Sequence, residues 1–402
     1  MTDLPVVLFV DDDEGVLAGL QSALRKLRRT YRFLFAVGAD EALSLLATEP
    51  VDVAVTDMRM PGLTGADLLH RIRAEHPEII RYVLSGEADV DLVMQSVPMA
   101  HRWLSKPCDR DTLAEALADA VRHRRYVTDP AILAAIGETS ALPTPPTLYA
   151  ELLELAADAN AGMDRVAALV GRDPAIAAKV MQWANSAFSG GNPVSNLQEA
   201  VTRIGLTAVS QLILSAEVAR SFLATESIPG CDPESLAAHV ETVSALAARL
   251  ARPSDAVIAG LGGLFCYIGL LVEIGYLPDR LTEAYALAER SDTELIDAER
   301  QLFGVGHPDL GAHLLSVWGL PSDAVLLIAG GHDRPELGGQ SASAEAGLPA
   351  LDAVRMAGVL AQRRSTFDSF GSPYRIRLGD DLAAAVADIE AGSALIEESA
   401  TA

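Results

Sequence analysis

Val51-Asp52-Val53-Ala54-Val55-Thr56-Asp57 is a short apolar run that ends on a carboxylate. Three other runs in the first third of the chain share this build. Residues 6–10 precede Asp11 and Asp12, residues 79–84 precede Ser85, and Trp103-Leu104 lead into Lys106-Pro107. Each reads as a buried strand bounded by a polar residue, with helical periodicity over 14–28, 39–48, 65–75, 90–97 and 109–123. Alternating strands and helices predict a parallel sheet, because right-handed crossovers lay the helices on its faces. Ligands of such sheets bind beyond the carboxyl ends of the strands. Asp11, Asp12, Asp57, Ser85 and Lys106 are therefore expected to meet at one end of one sheet.

From Asp129 onward the chain changes to long Ala- and Leu-rich helical segments. Thr128-Asp129-Pro130 and Leu142-Pro143-Thr144-Pro145-Pro146 interrupt helices and stiffen the path between the halves. The expected organisation is an α/β domain over 1–124, a connector over 125–141 and a helical domain over 142–402, whose acidic end frays. With 402 residues, 50% of them hydrophobic, the chain can bury sizeable cores. No internal repeat is evident.

A net charge of −24 opposes nucleic acid and anionic membrane. The densest basic runs, Arg25-Lys26-Leu27-Arg28-Arg29 and Arg122-His123-Arg124-Arg125, fall at predicted helix ends, where cations suit the dipole. Three dispersed cysteines, Cys108, Cys231 and Cys266, form no disulfide framework and fit a reducing, cytoplasmic setting. Met1-Thr2-Asp3 lacks the basic start of a signal peptide. Residues 256–272 are uncharged and resemble a membrane span. The stretch is short, closed by Glu273 and interrupted by Gly260, Gly262, Gly263 and Gly269, so we read it as one fully buried core helix.

The carboxylates after the first and third strands suit a hard cation such as Mg2+, which takes oxygen ligands and keeps several waters. Asp57 could then attack phosphorus as a covalent nucleophile, with Lys106 and the Ser85 hydroxyl surrounding the anionic group. Only Lys26, Lys106 and Lys179 are lysines, so a compact ammonium at 106 is a notable choice in an arginine-using chain.

Phe9-Val10-Asp11-Asp12, Asp57-Met58-Arg59-Met60-Pro61-Gly62, Val83-Leu84-Ser85-Gly86 and Lys106-Pro107 together resemble the receiver domain of bacterial two-component response regulators. The resemblance covers about residues 4 to 124. It implies a flavodoxin-like, doubly wound five-stranded parallel sheet, with Asp57 as phosphoacceptor and Asp11, Asp12 and Asp57 as Mg2+ ligands. It further implies a histidine kinase or phosphotransfer protein as donor, and a cis Lys106–Pro107 bond. Homodimerisation through the last strand and its flanking helices is a family possibility. Trp103 stands where the family usually has Tyr or Phe, whose ring turns inward when the hydroxyl residue moves to the phosphate. A larger ring is expected to bury differently.

The second half resembles the all-α HDOD output domain, a relative of HD-type metal phosphohydrolases, over about residues 142 to 360. The resemblance is carried by Arg172-Asp173-Pro174, Ala184-Asn185-Ser186-Ala187-Phe188, residues 200–206, and Phe303-Gly304-Val305-Gly306-His307 followed by residues 314–321. Catalytic HD enzymes bind metal through one histidine, an adjacent His-Asp pair and a later Asp. His239 stands at the first of these, but Cys266-Tyr267 replace the pair. Half the metal shell is thus missing. The resemblance therefore implies a non-catalytic domain that binds a protein partner. A metal-dependent phosphohydrolase or cyclic-nucleotide phosphodiesterase is the alternative. Cys266, His239, His307 and His332 suit zinc by type, but no paired spacing supports it. The sequence offers no basic helix-turn-helix that would favour direct DNA binding.

Overall fold

The computed structural model describes residues 4–85, 99–122, 129–139, 142, 151, 155, 162–186, 194–220, 233–330 and 348–364. Strands β1 (Val6–Asp11), β2 (Arg32–Val37), β3 (Val53–Asp57), β4 (Ile80–Ser85) and β5 (Arg102–Ser105) form one sheet in the order β2-β1-β3-β4-β5. Every neighbouring pair is parallel. Alternate residues of β1 feed two cores. Val6, Leu8 and Val10 pack with Ala54, Leu68 and Ile72 on one face. Val7 and Phe9 pack with Val53, Val55, Leu113 and Leu117 on the other. Covering both faces makes these strands read as continuous apolar runs.

The helices of this domain are α1 (Glu14–Ala23), α2 (Ala39–Leu46), α3 (Gly65–Glu75) and α4 (Arg110–Arg122). The helix expected over 14–28 stops at Ala23 and tightens into a 3-10 turn over Leu24–Arg29. The predicted helix over 90–97 lies outside the described residues.

The helical half contains α5 (Pro130–Glu138), α6 (Met163–Val170), α7 (Pro174–Ala184), α8 (Leu197–Arg220) and α9 (Pro233–Leu250). It continues with α10 (Ala256–Phe265), α11 (Ile268–Tyr276), α12 (Pro278–Ser291), α13 (Leu295–Phe303), α14 (His307–Val317), α15 (Ser322–Gly330) and α16 (Ala350–Arg364). The apolar stretch read as one helix is two, α10 and α11, broken at Cys266-Tyr267. Its burial comes from close helix approaches at glycines. A Cβ on Gly263 would lie 2.9 Å from Ser244 Cα, and one on Gly269 only 1.8 Å from the His307 carbonyl oxygen. Ala256–Tyr276 is long and apolar enough to cross a membrane, yet most of its apolar window is buried inside the protein. Glu273, which looked like a polar flank closing this stretch, is itself buried within α11.

The two halves share one core. Trp103 of β5 packs against Trp183 of α7, with ring centroids 5.8 Å apart. The Gln182 side-chain amide donates to the His101 carbonyl at 2.5 Å, and Ser316 Oγ of α14 donates to the Asp119 carbonyl of α4 at 3.3 Å. A Cβ on Gly319 would lie 2.8 Å from Arg102 Nε. The connector helix α5 docks by its last turn. The Arg81 guanidinium donates to the Gly137 carbonyl, which also meets His101 Nε2 at 3.0 Å. Because His101 Nδ1 accepts from the Arg81 backbone N–H at 2.9 Å, its Nε2 carries the proton. Trp103 of β5 and Asp119 of α4 are thus contacted from within the chain, by α7 and α14.

Candidate functional site

Parallel register brings the strand ends together. Asp57 ends β3 opposite Leu84, and Ser85 ends β4 opposite Ser105, one residue before Lys106. The expectation placed Asp11 and Asp57 just past their strands, whereas both are the final strand residues and are buried.

Lys106 is the hub of the site. Its Nζ donates to Asp11 Oδ2 at 2.7 Å and also to Asp57 Oδ1. Burial works against the ammonium, but the hydrogen bonds and charges of Asp11 and Asp57 outweigh it and hold the Lys106 pKa above its ordinary value. The Lys106–Pro107 peptide is cis. The second oxygen of Asp57, Oδ2, accepts from the Arg59 backbone N–H at 2.9 Å. Asp11 Oδ1 accepts from the Asp13 N–H at 3.0 Å. Asp12 lies next in the chain and is exposed.

The loop after Asp57 is fixed at both ends. Thr64 and Asp67 form a reciprocal capping box at the start of α3. A Cβ on Gly65 would fall 2.0 Å from the Asp57 carbonyl oxygen, so only glycine permits α3 to start there. Two buried carboxylates thus converge on one cation. An oxygen donor set of this kind fits Mg2+, with Asp11, Asp12 and Asp57 available to hold it. Gly86 lies outside the described residues, as does the predicted helix that follows it.

Trp103 is fully buried in β5, three residues before Lys106, which follows the end of that strand. The larger ring is accommodated because Trp183, from the other half of the chain, forms its neighbour. Behind this pair, Lys179 Nζ sits 3.9 Å above the Trp318 ring and 3.1 Å from Gln182 Oε1. Burial first, and then the Arg73 charge, push the Lys179 pKa down to about 7, while the indole face and amide oxygen favour the ammonium. Trp183, Gln182 and Trp318 were not legible as interface residues. The spare lysine at 179 was the one available signal.

In the helical half, His239 Nε2 lies 3.2 Å from the Tyr267 hydroxyl, with the rings edge to face. Burial pushes the His239 pKa down to about 4, so the imidazole is neutral at pH 7. On its other side Tyr267 stacks on His307, centroids 6.0 Å apart. Cys266 donates its thiol back to the Gly263 carbonyl at 3.0 Å, and burial raises its pKa, so it behaves as an unreactive core group. His239 and His307 therefore flank a phenol ring. His332 lies outside the described residues.

Comparisons with known proteins follow this division. A family model for the response regulator receiver domain matches residues 7–118, and a model for the HDOD domain matches residues 142–334. The hydrogenase transcriptional regulatory protein HoxA of Cupriavidus necator is 39% identical over 124 residues, 30% of this chain and 25% of HoxA. The chain thus spans about a quarter of that relative's length. The receiver domain of an HD domain-containing protein from Pseudomonas fluorescens is 35% identical, with 31% of this chain and 98% of that chain covered and a TM-score of 0.29. The MmoQ response regulator from Methylococcus capsulatus is 24% identical, with 60% and 94% covered and a TM-score of 0.46. With receiver motifs on the strand ends of a five-stranded parallel sheet, the chain carries a response regulator receiver domain over residues 7–118 followed by an HDOD domain over residues 142–334.

Proposed function

We propose that Asp57 accepts a phosphoryl group from a histidine kinase or phosphotransfer protein, and that this controls a non-catalytic HDOD domain acting as a protein-binding output. The convergence of Asp11, Asp57 and Lys106 carries the first part of this reading. In the transfer, an Asp57 oxygen forms a P–O bond while the P–N bond of the donor phosphohistidine breaks. The departing imidazole nitrogen keeps the electron pair and takes a proton. Asp11, Asp12 and Asp57 would hold Mg2+, whose charge offsets that of the phosphoryl oxygens. Lys106, released from Asp57, would follow the new negative charge, with the Ser85 hydroxyl as a further donor.

The output reading rests on the replacement of the His-Asp pair by Cys266-Tyr267, with His239 hydrogen-bonded to a phenol. Phosphorylation adds roughly −2 charge beside Lys106, and β5 runs from there directly to Trp103. We take the interface of Trp103 with Trp183 as the element the signal releases, freeing surface of α7 and α14 for a partner. The domain limits for this reading are 1–124, 125–141 and 142–402.

The test is incubation of the full chain with a small phosphodonor and magnesium, followed by intact mass. Wild type should gain one phosphoryl group and Asp57→Asn none. Equal uptake by both would refute Asp57 as acceptor. Turnover of a cyclic nucleotide that is lost in His239→Ala would refute the non-catalytic output.

A further inference from the structure

About two helical turns beyond Cys266, on α11, lies Glu273. It meets Glu299 of α13 and His307 at the start of α14, and all three are buried. One ligand atom from each lies within 4.8 Å of the other two. The His307 backbone N–H donates to Glu299 Oε2 at 2.7 Å, and His307 Nδ1 lies 2.9 Å from the same oxygen. Glu273 shares a hydrogen bond with Glu299, yet its Oε2 is buried with no hydrogen-bond partner. Two carboxyl groups therefore face each other in an apolar core.

We propose that Glu273, Glu299 and His307 form a structural site for a first-row divalent cation that ties α11, α13 and α14 together. Buried charges are ordinarily paired with an opposite charge or coordinate a metal. Burial first, and then the Glu299 charge, hold the Glu273 carboxyl well above the usual carboxylate range. Without a cation Glu273 keeps a proton and meets Glu299 through a hydrogen bond. A divalent ion replaces that proton, which passes to solvent, and takes up the idle Glu273 oxygen.

The mixed donor set of one imidazole and two carboxylates suits zinc or manganese better than magnesium. Gly306 packs tightly at the rim of the site, since a Cβ there would lie 2.7 Å from Ile296 Cγ1 and 3.3 Å from Glu299 Oε2. The position differs from the degenerate His239–Tyr267 pair, and Tyr267 separates the two by stacking on His307. A site so enclosed would load during folding. The inference stands independently of phosphorylation at Asp57.

The test is metal analysis of full-length protein refolded with Zn2+ or Mn2+ and then dialysed, compared with Glu273→Gln and Glu273→Leu. Wild type should retain about one equivalent more than either variant. Its Tm should fall on refolding with a chelator by on the order of 5 °C more than that of the variants. Should both variants fail to fold, the same two measurements on Asp11→Asn/Asp57→Asn protein, in which the other cation site is removed, decide. Equal metal in all three proteins, or a wild-type Tm indifferent to metal, would overturn the proposal and leave a proton-sharing cluster.

Discussion

Single side chains in this protein act through the charges they separate. Lys106 bridges two buried carboxylates, so Lys106→Met would leave Asp11 and Asp57 to repel each other with no donor for the incoming phosphoryl group. Phosphoryl uptake from a small donor should slow on the order of 10²-fold, the usual loss for a donor that meets developing charge. An unchanged rate would mean that Lys106 only holds the apo site together. Gly137 has a steric role, because a Cβ there would lie 1.6 Å from the Pro77 carbonyl oxygen. Gly137→Ala should cost about 1–3 kcal/mol in urea unfolding as α5 is forced off β4. At this scale the sequence was most readable where chemistry is local. Asp57 and Lys106 announce themselves by type and by place after an apolar run. Glu273 did not, because one acid beside an apolar stretch looks the same whether it faces water or a second carboxylate two helices further along the chain.

Elements matter through what they touch. β5 is short, yet it joins Lys106 at one end to Trp103 in the interface with α7. Trp183→Ala should cost about 3–5 kcal/mol, the range for emptying a buried aromatic position. It should also disconnect the halves, so that the phosphoryl mimic beryllofluoride no longer alters proteolysis of the helical half. A variant that loses stability but keeps the full proteolytic response would assign the coupling elsewhere. Strand β2 went unlocated among the apolar runs because Val37 leads only to Gly38, with no polar site residue to mark its end. The break between α10 and α11 was hidden for another reason. Cys266 and Tyr267 are as apolar as their neighbours, and it is the Tyr267 hydroxyl reaching His239 that uses the bend.

In the whole molecule, two modules that differ in sequence style have become one hydrophobic body. No periodicity in either half foretells this, because the complementary faces lie 81 to 197 residues apart and each reads as ordinary core. Lys179 gives the interface a pH dependence. Its pKa is 10.5 when exposed and about 7 when buried, so between these values the unfolded chain binds the extra proton. Stability should therefore rise with pH from about 7 towards 10.5 through this group, and its cost should be fully present below 7. Tm measured across that range should be flatter for Lys179→Met than for wild type, and identical slopes would remove Lys179 from the account. All three tryptophans of the chain, Trp103, Trp183 and Trp318, sit in or beside this interface. Their emission is therefore the most direct report on whether Asp57 controls it. On titration with beryllofluoride and magnesium, the full chain should show a saturable red-shift that is absent in Asp57→Asn. A spectrum that stays the same while the mimic is demonstrably bound at Asp57 would contradict the claim that phosphorylation opens the two halves.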